Sequence, residues 1–526
     1  MKIFNILKLL TLMLSLVITS CVDLDGAEFN REETRTFFQT EEDVKSGIVT
    51  VYDCLAKGAN TDDASGDLGG AVYDVAKIYF EEGTHTCHGG AKGLGRNDFT
   101  SSNKNIERMY LTAYFGVSKA NLVLEKMETI AMSDESRNHY RAETRFLRAL
   151  FYFNLVQYYG GVPIITKHYD YNFESMAVPR ASITKVYDFI VADLEFAEEH
   201  LPLHDFQGDN GYGRATSLAA SGLLSKVWLT RGGFPLNEGM TSYVKAKDYA
   251  QKVMDSNQFQ LLDDYGTVFT SDNKNNREIL FSVQFGSGLN DQGNWGGHHN
   301  AASSDNTSKY GFIYQPEYGD GYGRSKPTSE MIDAWEPTDP RRIYNTITTM
   351  KKGAPDVKYK WLMRKFRFKE AIDSKNQTLV NAVVLRYADV LLMAAEAENE
   401  INGPTELAYS LINLVRERAR RGIPSDNETD NPASLEPADL VFGVDFADQD
   451  AFRSNMFWER ARELSWEGND RFDLVRSGKY LEYTEDAEHL ESNGYEAPRE
   501  AHTLLPLPIV AMRNNPALEG SQNPGY

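Results

Sequence analysis

Cysteines, basic tracts and long apolar runs are scarce in this sequence, and each scarcity excludes a class of protein. Three cysteines among 526 residues cannot build a disulfide scaffold, although Cys54 and Cys87 could pair in an exported chain or remain separate thiols. The formal net charge is −21 at pH 7, and the basic residues are dispersed, so nucleic acid and anionic membrane surfaces are unattractive partners. Beyond the N-terminal segment, no apolar stretch approaches the length of a membrane-spanning helix.

Motifs that carry catalytic or cofactor chemistry are also missing. The sequence contains no P-loop, no Gly-x-Ser-x-Gly elbow and no dinucleotide fingerprint. The segment 81–88 combines glutamate, histidine and cysteine, but it lacks a second cysteine pair and the spacing of a helical zinc motif. In the acidic segment 63–74, Leu68 stands where a calcium loop needs glycine. We therefore expect no cofactor and no metal.

The N-terminus has the composition of an export signal. Lys2 and Lys8 flank the start of a short apolar stretch over 6–18, and small residues precede Cys21. The stretch is too short and too weakly flanked for a stable membrane span. We predict a lipoprotein signal peptide over 1–20, lipidation of Cys21, and a lipid-anchored tether over 21–40.

Most of the remaining chain has helical periodicity, interrupted by short connections rich in Gly, Pro or Asn. Helices are predicted at about 41–57, 104–129, 133–159, 182–200, 215–230, 243–256, 383–401, 404–421 and 448–467. This succession predicts a mainly α fold of degenerate tetratricopeptide-like helical hairpins. Residues 258–382 are instead rich in Gly, Asn, Tyr and Ser, with a strand near 279–285, so we predict a large loop-rich insertion. The late helices need the early ones to cover their apolar stripes, one of which is formed by Leu411, Leu414 and Val415. We therefore predict one domain over 41–526.

The segment 142–166 is the most informative single helix. Its apolar positions, such as Phe146 and Phe153, recur at the spacing of a buried helical stripe, and a second stripe of arginines includes Arg148. Gly160 supplies the positive φ of a C-terminal cap, and the following Pro163 cannot continue a helix. The sequence therefore predicts a packing helix that ends in a sharp turn.

The late segment 459–473 holds many carboxylates close together, which invites a catalytic interpretation. Glutamate and arginine alternate there at helical spacing, so we interpret the segment as a paired network, with Trp466 and Phe472 packed beneath it. Arg386 and Asp389 are interpreted as a helix-end ion pair. Both assignments are structural, and neither predicts catalysis.

Five segments have a distinctive sequence: AETRFLRALFYFNLVQYYGGVPIIT from residue 142, the Arg-Ala-Thr start at 214–216, LRYADVLLM from residue 385, the charged stretch 459–476, and the ending 505–526. Together these segments resemble the SusD/RagB family of outer-membrane nutrient-binding lipoproteins. In the second of these, Thr216 would cap a helix. The sequence departs from the family at 509–511, where Ile-Val-Ala replaces a polar step. The resemblance implies a SusD-like helical fold.

The resemblance also implies a function. We expect the mature chain to be anchored at the cell outer membrane through Cys21, and the acidic residues 22–25 resemble a tag that sends such lipoproteins to the outer face. The family further implies that the protein captures an oligosaccharide and passes it to a SusC-like TonB-dependent transporter. This role needs no bond chemistry, so the resemblance implies that the protein is not an enzyme.

Binding residues on such a scaffold should lie in loops, which vary while the helices hold them still. Sugar rings present apolar CH faces and hydroxyl groups, which suit aromatic side chains flanked by planar polar groups. Two loops, 85–99 and 294–324, have that composition, and family ligand sites lie in the same two regions. The candidate ligand-binding residues are Arg96, Asn97, Phe99, Trp295, His298, Tyr314, Tyr318, Tyr322 and Arg324.

Other functions remain open on the sequence alone. The same scaffold could bind peptides, as the RagB side of the family implies, through charged pockets and backbone pairing. A surface glycoside hydrolase would need two carboxylates roughly 5 to 9 Å apart in a cleft. A helical scaffold for protein partners would bind no small ligand, and aromatic side chains in the two loops could serve only to pin them.

Overall fold

The computed structural model describes residues 37–56, 81, 83–88, 97–168, 177–204, 213–270, 272–284, 326–350, 357–363, 365, 381–421, 435–485 and 498–526. The helices in this part are α1 (Glu41–Ala56), α2 (Lys104–Lys126), α3 (Asp134–Tyr159), α4 (Ile183–His200), α5 (Ser217–Gly232), α6 (Met240–Asp255), α7 (Ser329–Ala334), α8 (Pro340–Asn345), α9 (Tyr387–Asn402), α10 (Glu406–Arg420), α11 (Gln449–Leu464), α12 (Asp470–Arg476), α13 (Tyr480–Glu485) and α14 (Ile509–Asn514). The strands are β1 (Cys87–His88), β2 (Ile279–Val283), β3 (Lys326–Pro327), β4 (Thr346–Met350), β5 (Val357–Met363) and β6 (Ala382–Arg386). The predicted mainly α fold is confirmed.

The long helices pack in the order in which they occur along the chain. Each of α1 to α5 contacts the next helix, as far as α6. After the insertion, α9 packs on α6, and α10 and α11 both pack on α9. The stack therefore resumes where it stopped, as expected for helical hairpins of the tetratricopeptide-like type.

Helix α3 shows how the sequence specifies its own boundaries and faces. Ser133 caps its first turn by accepting the N–H of Ser136 at 3.0 Å, and Gly160 ends it with a φ of 71°. Its apolar face is buried, while Arg148 on the other face donates to Asp193 of α4 at 2.8 Å. The predicted packing helix is confirmed in both of its faces.

One apolar core joins early and late helices. It includes Val44 of α1, Leu150 of α3, Leu224 of α5 and Leu391 of α9. The apolar stripe predicted on α10 is only partly correct, because Leu414 is 47% exposed. An α-helix turns about 100° per residue, which places Leu414 away from its buried neighbours and towards solvent.

Strand β6 occupies positions that the sequence analysis assigned to the start of a helix. It pairs antiparallel with β2, with Ile279 opposite Arg386 and Val283 opposite Ala382. The predicted strand near 279–285 is thus confirmed, whereas the helix expected from 383 begins at 387. The apolar spacing of α9 continues backwards through β6, so periodicity alone does not mark the change. β4 and β5 form a separate antiparallel hairpin within the insertion.

Two further expectations concern cysteines and membrane spans. Cys54 and Cys87 are both buried and are not joined by a disulfide. The sequence left this question open, and the structure favours separate thiols. Among the described residues, no helix combines the length and the apolar character needed to cross a bilayer.

Candidate ligand-binding site

The bases of the two predicted binding loops lie side by side. β1 and β3 pair antiparallel, with Cys87 opposite Pro327 and His88 opposite Lys326. The chain leaves β1 towards the rest of the first loop, and it enters β3 directly after the second loop. The pairing therefore fixes one end of each loop at a common point.

Buried hydroxyl groups reinforce this pairing. Thr328 donates its Oγ1 hydroxyl to the backbone oxygen of His85 at 2.5 Å and its N–H to the backbone oxygen of Thr86 at 3.2 Å. The same Oγ1 caps α7 by accepting the N–H of Met331 at 3.0 Å. Thr86 in turn donates its hydroxyl to Asp470 Oδ2 at 2.5 Å. We call Thr86, Thr328 and Asp470 the loop clamp, because they connect β1 and β3 to α7 and α12.

The carboxyl group of Asp470 lies inside the protein, with 2% of the residue exposed. Burial and the nearby negative charge of Asp473 together raise its pKa to about 7, although the hydrogen bond from Thr86 opposes this rise. The carboxyl group therefore keeps its proton at a higher pH than an exposed aspartate does. An oxygen of either form can accept the Thr86 hydroxyl, so the clamp does not depend on one protonation state.

An aromatic layer backs the clamp. The His85 ring lies against Phe457 and Trp458, with centroid separations of 4.6 and 5.1 Å. Burial lowers the pKa of His85 to about 3, so the ring is neutral at physiological pH. Within the described part of the chain, no three His, Cys, Asp or Glu side chains are grouped so as to hold a metal ion. His85 therefore belongs to the packing beneath the loops.

Asn97 and Phe99, two of the predicted binding residues, lie where the first loop returns to the core. Asn97 has a left-handed backbone with φ 58°, and its Oδ1 accepts the Tyr480 hydroxyl at 3.2 Å. Phe99 packs against His502 and Tyr526, with centroid separations of 5.3 and 6.0 Å. These two predicted residues are only 3% and 4% exposed. Their packing does not support direct contact with a ligand, so that role stays a prediction.

The other predicted binding residues lie outside the described part of the chain. They are Arg96, Trp295, His298, Tyr314, Tyr318, Tyr322 and Arg324. The lipidation site Cys21 and the acidic segment 63–74 lie outside it as well. The roles assigned to these residues remain predictions.

An amide network lies directly after β2, ten residues before the start of the second loop in the sequence, and it was not predicted from the sequence. Gln284 directly follows β2, and its Oε1 accepts from Asn275 Nδ2 and Asn381 Nδ2, each at 2.8 Å. Asn381 directly precedes β6, so the network ties the departing strand to its partner. Asn275 has a left-handed backbone with a φ of 49°. The Asn-Asn pair at 275–276 is the feature of the sequence that could have predicted a turn here.

Four carboxylates of the late charged segment, Glu459, Glu463, Glu467 and Asp473, are paired with arginines, whereas Asp470 belongs to the loop clamp and accepts from Thr86. Glu459 pairs with Arg341 at 2.8 Å and with Arg416 at 2.6 Å. Burial alone would raise the pKa of Glu463, but Arg418, Arg386 and Arg341 lower it to about 2. The predicted paired network is confirmed, although its main partners come from other elements. Carboxylates held ionised in this way are unsuited to act as a general acid.

The predicted helix-end pair of Arg386 and Asp389 is wrong. Arg386 lies at the end of β6 and binds Glu467, with its Nη2 at 2.8 Å from Oε1. Asp389 lies in the first turn of α9 and pairs with Lys226 at 3.0 Å and Arg460 at 2.9 Å. The strand-to-helix junction separates the two side chains, which a continuous helix would have kept on neighbouring positions.

Two family models match most of the chain between them. The SusD family model matches residues 338–526, and a model described as "Starch-binding associating with outer membrane" matches residues 24–229. The chain belongs to the SusD/RagB family. The matched ranges contain Thr86 and Asp470 of the loop clamp, and neither contains the second loop at 294–324. Membership in the SusD/RagB family therefore does not by itself identify a ligand for this predicted binding loop.

Relatives of the SusD/RagB type extend over the whole chain. SusD-like protein P25 of Formosa agariphila is 26% identical, with 100% of both chains covered. The starch-binding protein SusD of Bacteroides thetaiotaomicron is 28% identical over 35% of this chain and 31% of its own. A solved SusD homolog from Bacteroides thetaiotaomicron superposes with a TM-score of 0.77 at 24% identity, covering 94% of this chain and 98% of the homolog. A laminarin-binding SusD-like protein gives 0.68 at 24% identity, covering 93% and 100%. The fold is that of SusD.

Proposed function

We propose that this SusD-family chain is a lipid-anchored outer-membrane protein that binds an oligosaccharide on the cell surface and delivers it to a SusC-like TonB-dependent transporter. The family model that matches 24–229 supports association with the outer membrane. The signal-like residues 1–20 and the following Cys21 support the lipid anchor. The transporter is the partner implied by the SusD resemblance.

The observation that carries the ligand class is the pairing of β1 with β3. It sets the ends of two loops that are rich in aromatic and planar polar residues at one place on a buried scaffold. Two similar proteins are named for glycans, one for starch and one for laminarin. An oligosaccharide fits this composition, because aromatic faces pack on the CH faces of sugar rings and planar polar groups bind the hydroxyls.

The buried glutamates of α11 are consistent with a protein that captures its ligand without cleaving a bond. Glu459 and Glu463 are buried and ion-paired, so they serve to hold α11 against its neighbours. In the proposed role, selectivity comes from the shape and hydrogen bonding of the loops, and release to the transporter requires only that binding be reversible.

Calorimetry with maltoheptaose, laminarihexaose, other glycans and a set of oligopeptides tests the ligand class. We expect at least one glycan to bind, and we expect Trp295→Ala to weaken that binding by about tenfold or more, equivalent to about 1.4 kcal/mol. Phe115→Ala is a matched control, because Phe115 is an aromatic residue on α2 that is 37% exposed and lies outside both loops. Binding of peptides alone would refute the proposal, and so would release of reducing ends that depends on a single carboxylate.

A further inference from the structure

We propose that the loop clamp, formed by Thr86, Thr328 and Asp470, consists of positioning residues that set the placement of the two glycan-binding loops relative to each other. The inference rests on the proposed function and adds to it a determinant of affinity that does not touch the ligand. It follows from where the clamp lies and from what it connects.

The backbone ladder between β1 and β3 is too short to fix the loops alone. Each strand has two residues, and a pair of short strands is at best marginally stable without further contacts. The side chain of Thr328 crosses this ladder to the backbone oxygen of His85, a residue 243 positions away in the sequence. The Thr328 hydroxyl thus adds a side-chain connection between the two loop bases to the short backbone ladder.

Hydrogen bonds connect the clamp to a helix on each side, α12 through Thr86 and α7 through Thr328. Thr86 is 0% exposed and bonds to Asp470, the first residue of α12. Thr328 is 2% exposed and caps α7, and α7 is followed by Trp335, which donates its indole N–H to the backbone oxygen of Arg462 in α11 at 3.2 Å. Both loop bases are therefore held against α11 and α12.

The core around the clamp is distinct from the main helical core. Cys87 of β1, Trp335 and Trp466 belong to a smaller apolar cluster, separate from the one that unites the long helices. Loss of a clamp hydroxyl should open the loop bases and leave the helical stack intact. A displacement of about 1 Å in a binding constellation is enough to lose much of its affinity.

The experiment compares isosteric variants in the full chain. Thr328→Val and Thr86→Val each remove one clamp hydroxyl, and Thr328→Ser retains both the hydroxyl and the helix cap. Thr144→Val is the matched control, because Thr144 is also 0% exposed and donates to a backbone oxygen, that of Tyr140, at 2.7 Å within α3. Affinity for maltoheptaose and laminarihexaose is measured by calorimetry, and local opening is measured by hydrogen exchange of 83–88 and 326–331.

We expect both clamp valine variants to bind the glycan at least tenfold more weakly and to exchange faster in these two segments, with exchange in α2 to α6 unchanged. Thr328→Ser and Thr144→Val should bind within about twofold of the unsubstituted chain. Thr86 does not cap a helix, so the Thr86→Val variant still tests the positioning role if Thr328→Val fails to fold.

Two results would overturn the inference while leaving the proposed function in place. One is normal affinity in clamp variants that exchange faster at 83–88 and 326–331. The other is an unchanged exchange pattern together with unchanged affinity. If the unsubstituted chain binds neither these probes nor any other glycan, the proposed function fails, and the positioning role fails with it.

Discussion

At the scale of single residues, two equally buried carboxyl groups have pKa values that are shifted in opposite directions. Asp470 is near Asp473 and receives one hydroxyl donor, so desolvation dominates and its pKa rises to about 7. Glu463 is equally buried, but several arginines overcome the desolvation and hold its pKa at about 2. The two pKa shifts differ because the groups that surround the two carboxyls differ. Opposite pKa shifts predict opposite pH dependences of stability.

Asp470→Asn should remove a loss of stability that the unsubstituted chain shows as pH rises. Because the folded pKa of Asp470, about 7, exceeds the ordinary aspartate value of 3.8, the folded state holds its proton more tightly. The stability contribution of Asp470 is complete at low pH and declines as pH rises towards 7, by at most about 1.4 kcal/mol per pH unit. In urea unfolding from about pH 5 to about pH 7.5, the free energy of unfolding of the variant should increase relative to that of the unsubstituted chain. Parallel profiles would contradict the assignment.

Glu463→Gln should destabilise the protein most at neutral pH. The substitution leaves Arg386 and Arg418, which are 1% and 2% exposed, without one of their counter-ions, and breaking such a buried pair costs about 3–5 kcal/mol. Because the folded pKa of Glu463 is lowered from 4.5, its contribution is present above about pH 4.5 and is lost as pH falls towards about 2. Urea midpoints should show the penalty shrinking in acid. Glu482→Gln, at a side chain 61% exposed, should change stability by no more than about 0.5 kcal/mol.

At the scale of elements, periodicity predicts the long helices well and the short pieces poorly. Helix α3 was expected over 133–159 and is found over Asp134–Tyr159, because its stripe spans many turns and both ends carry cap signals. Periodicity predicts a helix where strand β6 lies. The pairing of β6 with β2 joins distant segments, and a local pattern cannot reveal such a pairing. The short helices α7 and α8 each have six residues, fewer than two full turns, which leaves too few positions to show a period.

The contact between α2 and α3 depends on the missing side chain of Gly116. A Cβ at this position would lie 2.3 Å from the ring of Phe151, which is itself 0% exposed. Alanine is favoured over glycine in a helix by about 1 kcal/mol, but overpacking a core costs about 1–3 kcal/mol. We expect Gly116→Ala to lower the free energy of unfolding by about 1 kcal/mol in urea titrations.

Phe151→Leu supplies the control for this packing argument. The smaller side chain removes the ring that meets the new methyl group, so Gly116→Ala should be neutral or stabilising in that background. An equal loss in both backgrounds would show that the ring of Phe151 is not what limits the residue at 116.

At the scale of the whole molecule, composition identified the candidate loops but not how they come together. The segments 85–99 and 294–324 have the aromatic and polar composition of binding loops, and β1 and β3 join their bases. This could not be predicted, because two-residue strands have no alternation to detect. Asn97 and Phe99 were chosen for their residue type, and only the tertiary fold shows that both are buried. The two loops therefore remain the predicted binding regions, and the burial of Asn97 and Phe99 does not support direct contact of these two residues with a ligand.

The lipid anchor and the glycan site should be separable properties of the whole molecule. Cys21→Ser removes the thiol that would carry the acyl chains, and the affinity of anchoring depends on those chains. The helical stack and the loop clamp begin well after that residue, with α1 starting at Glu41, so glycan affinity should remain within about twofold.

Detergent phase partition and fatty-acid labelling measure the anchor, and calorimetry measures the site. We expect the variant to lose the label, move to the aqueous phase and copurify less with the transporter. Retention of the label would place the lipid elsewhere, and a loss of glycan affinity would show that the segment around Cys21 contributes to binding.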